Sequence, residues 1–135
     1  QICTVMEFCR SGDVCEYLLK EQCNGQKMPN ATIYDWMWQL GEALQYLHSK
    51  RILHRDLKPH NVFLHSVSRT DVILKLGDFG LAAGLESGKR TSRVGTPCYL
   101  APEILFSDEY GEPVDVWGVG CVMYEVMTYD FVWQR

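Results

Sequence analysis

The sequence has no long apolar run, no excess of positive charge and no closely spaced pair of cysteines, and each absence excludes a class of protein. No apolar run approaches the roughly 20 residues that a membrane-spanning helix needs. Acidic residues number 17 and basic residues 13, giving a formal net charge of −4. Nucleic acids and anionic membranes bind basic faces, so neither is an expected partner. None of the six cysteines has C-x-x-C spacing, so a structural zinc site is not expected.

The cysteines indicate the cellular compartment of the protein, and the first residues indicate whether the chain is part of a longer one. Cys121 lies in an apolar helical run and Cys9 beside another apolar run, where a buried thiol behaves as a small hydrophobic side chain. We therefore expect reduced cysteines and a cytoplasmic or otherwise intracellular protein, with a disulfide framework as the alternative. The chain begins at Gln1 in an apolar run and shows no signal peptide, so we expect an excerpt of a longer protein.

Three segments carry helical signals. Asp13 stands where a helix N-cap is expected, directly before VCEYLLK. From Ile33 to Leu47 the apolar residues recur at helical spacing, and Thr32 with Asp35 gives a capping signal for this helix. The segment VDVWGVGCVMYEVM is apolar around almost its whole circumference, which predicts a helix that is buried on every side.

Three shorter segments carry strand signals. TVMEF near the start, NVFL after HRDLKPHN and VILKL before GDFG are rich in β-branched or large apolar residues. The polar segment HSVSRTD joins the last two. If these two strands pair, Asp78, which follows the second strand, returns beside the HRDLKPHN loop.

The loop HRDLKPHN brings a carboxylate, two cations and an amide together within a few residues. Asn61 and Asp78 offer the oxygen ligands that magnesium prefers beside substrate phosphates. Lys58 supplies a point charge for a phosphate, and Asp56 remains as the group that can accept a proton from a hydroxyl. Taken singly, each residue is better explained as a solvated loop residue or a turn cap, so the hypothesis depends on their occurring together.

Four motifs occur in order along the chain: HRDLKPHN, LGDFGLA, GTPCYLAPE and DVWGVG. Their order and intervals resemble those of the protein kinase family. The resemblance implies an α+β, protein-kinase-like fold, mostly the helical C-terminal lobe with short β-hairpins at the catalytic loop, present as a fragment. It further implies ATP and Mg²⁺ as cofactors and a protein as substrate. Lys58 and the pair Gly95–Thr96 are similar to serine/threonine kinases, and the motif set most resembles the NIMA-related kinases.

The resemblance also divides the chain into regions of a partial kinase domain: a hinge at 1–13, the αD–αE region at 14–53, the catalytic loop at 54–61, the activation segment at 78–103 and the αF helix at 113–128. The Gly-rich loop, the phosphate-binding strand lysine and its helix glutamate have no counterpart here, nor do the helices that follow αF in the family. An active kinase is the first hypothesis for function. A pseudokinase or kinase-like scaffold that acts by protein–protein interaction is the alternative, and the oligomeric state is not predicted.

The catalytic residues follow from the resemblance, position by position. Asp56 would orient and deprotonate the substrate hydroxyl, and Lys58 would stabilise the transferring phosphoryl group. Asn61 and Asp78 would hold magnesium. Thr96 would hydrogen-bond to Asp56 and Lys58, with an ordinary turn-forming threonine as the alternative.

The nucleotide contacts follow in the same way. Met6 stands at the gatekeeper position, and Glu7 and Cys9 fall in the hinge, where backbone groups contact adenine. Asp13 would reach the ribose hydroxyls, and Phe63 would form the floor beneath the adenine ring. Lys58, Asn61 and Asp78 complete the expected set around the phosphates.

Further residues acquire structural roles from the resemblance. His54 and Phe79 would stack in the hydrophobic spine between the lobes, and Asp115 would hold the backbone of the catalytic loop. Glu125 matches a position that can bind basic residues of a substrate.

The polar segment before Gly95 carries the expected regulatory site. A phosphate at Ser92, or at its neighbour Thr91, could be captured by Arg55 through charge-assisted hydrogen bonds. An ordinary solvated hydroxyl is the alternative. Three basic residues in the same segment are interpreted as a solvated face, with a role as extra phosphate partners as the alternative: Lys89, Arg90 and Arg93.

Overall fold

The computed structural model describes residues 3, 5–25, 27–66, 71–85, 90–107 and 109–132. In chain order the regular elements are α1 (Val14–Asn24), α2 (Asn30–Ser49), β1 (Ile52–Leu53), β2 (Val62–Ser66), β3 (Val72–Leu76), β4 (Ala83–Gly84), α3 (Pro102–Phe106) and α4 (Pro113–Thr128). Single 3₁₀ turns cover Pro59–Asn61, Phe79–Leu81 and Pro97–Tyr99. The fold is α+β, as predicted.

Helix α1 begins where its sequence signal predicts. The carboxylate of Asp13 accepts a hydrogen bond from the backbone N–H of Glu16 at 2.9 Å, which satisfies one of the unpaired donors of the first turn. Gly25 ends the helix with φ at +65°, a left-handed conformation that glycine adopts at little cost. The N-cap prediction for Asp13 is confirmed.

Helix α2 begins earlier than predicted. Its N-cap is Pro29, whose extended backbone precedes the first helical residue, Asn30, and makes no side-chain capping bond. The carbonyl of Pro29 already accepts the N–H of Ile33 at 3.1 Å. Thr32 therefore lies inside the first turn, and the capping prediction for Thr32 and Asp35 is wrong.

The predicted pairing of NVFL with VILKL is confirmed. Strands β2 and β3 are antiparallel, with Val62 opposite Leu76 and Ser66 opposite Val72. Gln39 of α2 covers the outer edge of β3, since its amide group donates to the carbonyl of Val72 at 3.0 Å and accepts from the N–H of Leu74 at 2.7 Å. This helix side chain takes the place of a neighbouring strand.

The strand predicted for TVMEF is wrong for the part that is described. Residues 5–9 have no strand conformation. A strand requires backbone partners on a neighbouring strand, and the two sheets of the described residues, which join β1 with β4 and β2 with β3, do not include residues 5–9.

The main core lies between α1, α2, the β2–β3 hairpin and α4. Its fully buried members include Val14, Leu40, Val62, Val122 and Val126. Helix α4 also contributes Val114 to a second buried cluster, but it is not covered around its whole circumference, so the prediction of burial on every side is wrong. Four of its apolar residues are substantially exposed: Val116, Trp117, Tyr124 and Met127.

Candidate active site

The HRDLKPHN loop is held by a single buried carboxylate of α4. Asp115, only 1% exposed, accepts the backbone N–H of His54 at 2.9 Å and that of Arg55 at 2.8 Å. Its Oδ2 also lies 2.9 Å from Nε2 of His48 on α2. A buried carboxylate needs partners of this kind to offset its lost hydration. Asp115 thus holds the loop backbone, as the resemblance implied, and also links α4 to α2.

A glycine of α4 lets the loop approach the helix closely. A Cβ added at Gly118 would lie 2.6 Å from the Cβ of Leu57 and 3.2 Å from its carbonyl oxygen. Such contacts are too close for real carbon atoms, so any larger residue would push the loop away. Asp115 and Gly118 thus hold the residues on either side of Asp56 against α4.

The carboxylate of Asp56 receives several donors. Lys58 Nζ donates to Oδ2 at 2.8 Å, while the backbone N–H and the hydroxyl of Thr96 donate to Oδ1 at 2.9 and 2.6 Å. Burial by itself would raise the pKa of the Asp56 carboxyl, but the bonds from Lys58 and Thr96 outweigh it and hold that pKa below its ordinary value. Asp56 is therefore ionised at neutral pH and fixed in orientation.

Asn61 lies against the same carboxylate. Its amide nitrogen donates to the backbone carbonyl of Asp56 at 2.8 Å and to Oδ2 at 3.0 Å. With the nitrogen engaged on the Asp56 side, the amide oxygen faces away from Asp56.

Asp78 returns beside Asn61 through the β2–β3 hairpin. The backbone N–H of Gly77 donates to the carbonyl of Asn61 at 2.9 Å, one step beyond the Val62–Leu76 pair of the register. Asp78 follows with left-handed backbone angles, φ +55°, and its carboxylate accepts the N–H of Gly80 at 3.3 Å. Unlike Asp56 and Asn61, Asp78 is exposed.

The oxygens of Asn61 and Asp78 fit a magnesium ion by their chemistry. Both are hard donors, and a two-ligand protein set suits an ion that takes its remaining ligands from water and phosphates. Among the described residues, no group of three or more His, Cys, Asp or Glu is arranged to hold a metal ion without such help.

His54 connects the loop to the segment after Asp78. Its ring is fully buried, with Nε2 2.9 Å from the carbonyl of Gly77. The ring of Phe79 lies beside it, with centroids 5.0 Å apart and planes inclined by 53°. The structure therefore brings together the two rings that the resemblance assigned to one spine.

A cavity of about 740 Å³ opens between the start of the chain and the hairpin. Every predicted adenine and ribose residue lines it: Met6, Glu7, Cys9, Asp13 and Phe63. Its volume suits a nucleotide-sized ligand. One oxygen of Asp13 caps α1, so the same residue both begins the helix and lines the cavity.

The floor of this cavity depends on a glycine that the sequence analysis did not single out. A Cβ added at Gly77 would meet the ring of Phe63, with its Cδ2 only 2.8 Å away. The ring fills the volume that a side chain at position 77 would need. Phe63 and Gly77 are thus a complementary pair, large and small, at one wall of the cavity.

Sequence reasoning also missed an ion-pair cluster at the cavity edge. The half-exposed carboxylate of Glu7 pairs with Lys75 of β3 and lies 3.2 Å from Nδ1 of His65 on β2. The hydrogen bond from Lys75 lowers the pKa of Glu7. Because Glu7 and Lys75 are 68 positions apart, only the fold brings them together.

Arg55 is the centre of a second set of contacts. Its backbone has φ +68°, and its Nε donates to the carbonyl of Leu81 at 2.7 Å. Its Nη1 donates to the hydroxyl of Ser92 at 2.8 Å and to that of Tyr110 at 3.2 Å. The expected pairing of Arg55 with position 92 is therefore present as a contact, while Thr91 is exposed.

The interpretation of the nearby basic residues as a solvated face does not hold for Arg90. Its backbone N–H and carbonyl form two 2.8 Å hydrogen bonds with Tyr110. Its Nε is buried and has no hydrogen-bond partner in the described part of the chain. Arg93 is exposed, as expected, and Lys89 lies outside the described residues.

Glu125 is almost fully buried. It is 3% exposed, and its Oε1 accepts the hydroxyl of Tyr99 at 2.9 Å and the N–H of Val132 at 3.3 Å. Burial raises the pKa of Glu125, although the bonds from Tyr99 and Val132 oppose this. The expectation that Glu125 binds basic substrate residues is therefore wrong in this structure, because Tyr99 covers it.

Within the described residues, no helix combines the length and apolarity that crossing a membrane requires.

Comparison with known proteins gives consistent matches. The family model for the protein kinase domain matches residues 1–135. The chain is 46% identical over 126 residues to the serine/threonine-protein kinase Nek4 of Mus musculus, covering 92% of this chain and 15% of that protein. It is 42% identical over 126 residues to Nek3 of Oryza sativa subsp. japonica, with coverages of 93% and 20%. It is 37% identical over 131 residues to unc-51 of Caenorhabditis elegans, with coverages of 92% and 15%.

Proposed function

The chain belongs to the protein kinase family, and we propose that it forms the catalytic part of a serine/threonine protein kinase that transfers the γ-phosphate of ATP to a protein hydroxyl. The relatives above are serine/threonine-protein kinases by name, and the Nek matches confirm the predicted likeness to NIMA-related kinases. The chain spans a fifth or less of their length, so the activity of the whole protein is part of the proposal.

The observation that carries the proposal is the environment of Asp56. Its carboxylate is ionised, buried and oriented by Lys58 and Thr96. The Thr96 hydroxyl lies between them, 2.6 Å from Asp56 and 2.7 Å from Lys58, so the two groups can bind one hydroxyl together. A substrate hydroxyl bonded to the same carboxylate would be held in line for attack, and Asp56 would accept its proton.

The phosphate side of the reaction would be served by Asn61, Asp78 and Lys58. Bound Mg²⁺ supplies charge neutralisation for the phosphates. Asn61 would hold the ion through its amide oxygen and Asp78 through its carboxylate. The amide nitrogen of Asn61 donates a hydrogen bond to the Asp56 carboxylate and so fixes Asp56 beside the ion site. Lys58, already bonded to Asp56, would place its positive charge beside the transferring group.

The nucleotide would bind in the cavity lined by Met6, Glu7, Cys9, Asp13 and Phe63. The ring of Phe63 gives a flat apolar surface of the kind that stacks on a purine base. The second oxygen of Asp13, the one not used in capping α1, would accept a ribose hydroxyl.

Regulation by phosphorylation of Ser92, with Thr91 as the second candidate, is part of the proposal. Ser92 is exposed, and its hydroxyl already accepts a hydrogen bond from Arg55. A phosphate there would carry nearly two negative charges and bond to the same guanidinium more strongly.

The test uses a complete kinase domain that contains this chain, hereafter the complete domain, with ATP, Mg²⁺ and casein as a generic protein substrate. Asp56→Asn should leave the thermal unfolding temperature within a few degrees of the parent and lower kcat by a factor of about 10² or more, since a positioned base contributes about 10²–10⁴. The exposed Asp35→Asn serves as the matched control, with unchanged kcat. An Asp56→Asn variant with parental turnover would contradict the assignment of the base.

The pseudokinase alternative makes the opposite prediction. A scaffold has no chemical use for an ionised, oriented carboxylate beside a lysine and an amide, so the contacts of Asp56 favour the enzyme. Turnover of casein by the complete domain at the level of an Asp56→Asn variant would support the scaffold.

A further inference from the structure

Tyr110 lies outside every motif of the sequence analysis, yet it contacts the activation segment with both its backbone and its side chain. The residue is 4% exposed and packs in a core cluster with Leu53 and Val114. Its backbone pairs with that of Arg90 through two hydrogen bonds of 2.8 Å. Its hydroxyl donates to the backbone carbonyl of Ser92 at 2.5 Å.

The same hydroxyl also meets Arg55. Nη1 of Arg55 donates to it at 3.2 Å and to the Ser92 hydroxyl at 2.8 Å, so the three side chains form one connected set. Arg55 is the residue before Asp56, and its backbone is held by Asp115. A displacement of Ser92 would therefore be transmitted to the catalytic loop through the side chain of Arg55.

We infer that Tyr110 is a positioning residue, which holds Ser92 against Arg55 in the unmodified protein and thereby keeps Thr96 hydrogen-bonded to Asp56. The inference rests on the proposed function, because it assigns Tyr110 a part in phosphoryl transfer without contact to substrate. The buried ring fixes the hydroxyl in space, and the bond to the Ser92 carbonyl does not depend on the state of the Ser92 side chain. The position of Thr96, four residues further on, follows from the hold on Ser92.

The role of Tyr110 depends on whether Ser92 carries a phosphate. A phosphate on Ser92 makes its own charge-assisted bonds to Arg55 and holds the segment by itself. Without the phosphate, the neutral Ser92 hydroxyl makes a weaker bond to Arg55, and the Tyr110 hydroxyl supplies the remaining restraint. The contribution of Tyr110 is therefore largest in the unmodified protein.

The test is Tyr110→Phe in the complete domain, which keeps the buried ring and removes the hydroxyl. With Ser92 unmodified, kcat/KM for casein falls about five- to tenfold, the effect of one or two lost hydrogen bonds, and KM for ATP is unchanged. With phosphoserine installed at position 92, the loss shrinks to less than about twofold. Tyr34→Phe, which removes a hydroxyl from a tyrosine that is 65% exposed, is the control and has no effect in either form.

Hydrogen exchange of residues 90–95 gives a readout that does not require activity. Tyr110→Phe accelerates exchange there in the unmodified protein, whereas Tyr34→Phe does not. Equal losses of turnover with and without the phosphate, or unchanged exchange, overturn the inference. If the parent protein has no activity but exchange still responds to Tyr110→Phe, the proposed function fails and the hold of Tyr110 on Ser92 stands.

Discussion

Replacing Asp115 by Asn tests whether the catalytic loop is oriented by one buried carboxylate. The two oxygens of Asp115 accept the backbone N–H groups of His54 and Arg55, one each. An asparagine has the same shape but only one oxygen, and its amide nitrogen is a donor. Whichever way the amide turns, one buried N–H of the loop faces another donor and loses its partner.

The magnitude follows from these contacts. Leaving one buried donor unsatisfied costs about 1–3 kcal/mol, and exchanging a charged acceptor for a neutral one weakens the remaining bonds. We therefore expect Asp115→Asn to reduce the free energy of unfolding by about 2–4 kcal/mol. In a domain of 150–250 residues this corresponds to a fall in Tm of roughly 5–15 °C.

The assay combines thermal unfolding with steady-state kinetics on the complete domain. Because Asp56 follows directly after the two anchored residues, kcat should fall at a temperature where the variant is still folded, while KM for ATP changes little. Glu112→Gln is the matched control on the same turn, since its carboxylate is half exposed and lies 4.0 Å from His48, a contact worth at most about 1 kcal/mol. An Asp115→Asn variant with the Tm and kcat of Glu112→Gln would refute the reasoning.

Two further predictions concern the cavity and the buried glutamate. Gly77→Ala should raise KM for ATP because its methyl group would collide with Phe63. In a Phe63→Leu background, where the ring is absent, the same Gly77→Ala change should raise KM less. The control Gly41→Ala has open space around it and should leave KM unchanged, and an equal effect of Gly77→Ala in both backgrounds would count against the complementary pair. Glu125→Gln should raise the Tm at neutral pH, because burial raises the pKa of Glu125 and the folded protein loses stability as pH rises between its ordinary and raised values. The glutamine can still accept the Tyr99 hydroxyl, so the gain should shrink as the pH falls below the ordinary pKa of the carboxyl, and a gain that is constant from about pH 4 to pH 8 would contradict the explanation.

Local signals predicted the elements whose ends are formed by neighbours in sequence. Asp13 caps α1 because the side chain and the N–H that it accepts are three residues apart. The pairing of NVFL with VILKL was predictable because a short polar connection joins two strand-like runs, and this pairing returns Asp78 to Asn61. The strand predicted for TVMEF was wrong because strand conformation requires backbone partners on a neighbouring strand, which a local run of apolar residues does not supply.

The burial of α4 shows the limit of a composition-based prediction. An apolar circumference indicates that a helix can be covered on every side, and Val126 and Val122 are indeed buried. It does not indicate which other elements are present to cover it. Val116 and Met127, equally apolar, remain more than half exposed.

The amino-acid sequence by itself determined the chemical groups of the site and their family, since Asp56, Lys58, Asn61 and Asp78 occur in motifs with characteristic spacing. Only the tertiary structure decided how those groups are held: by the bonds of Asp115 to the loop, by Tyr110 at Ser92 and by the room that Gly77 leaves for Phe63. The physical reason is that a motif records which side chains react, whereas support comes from residues far along the chain. Their contacts depend on packing and strand register, which no local pattern of residues encodes.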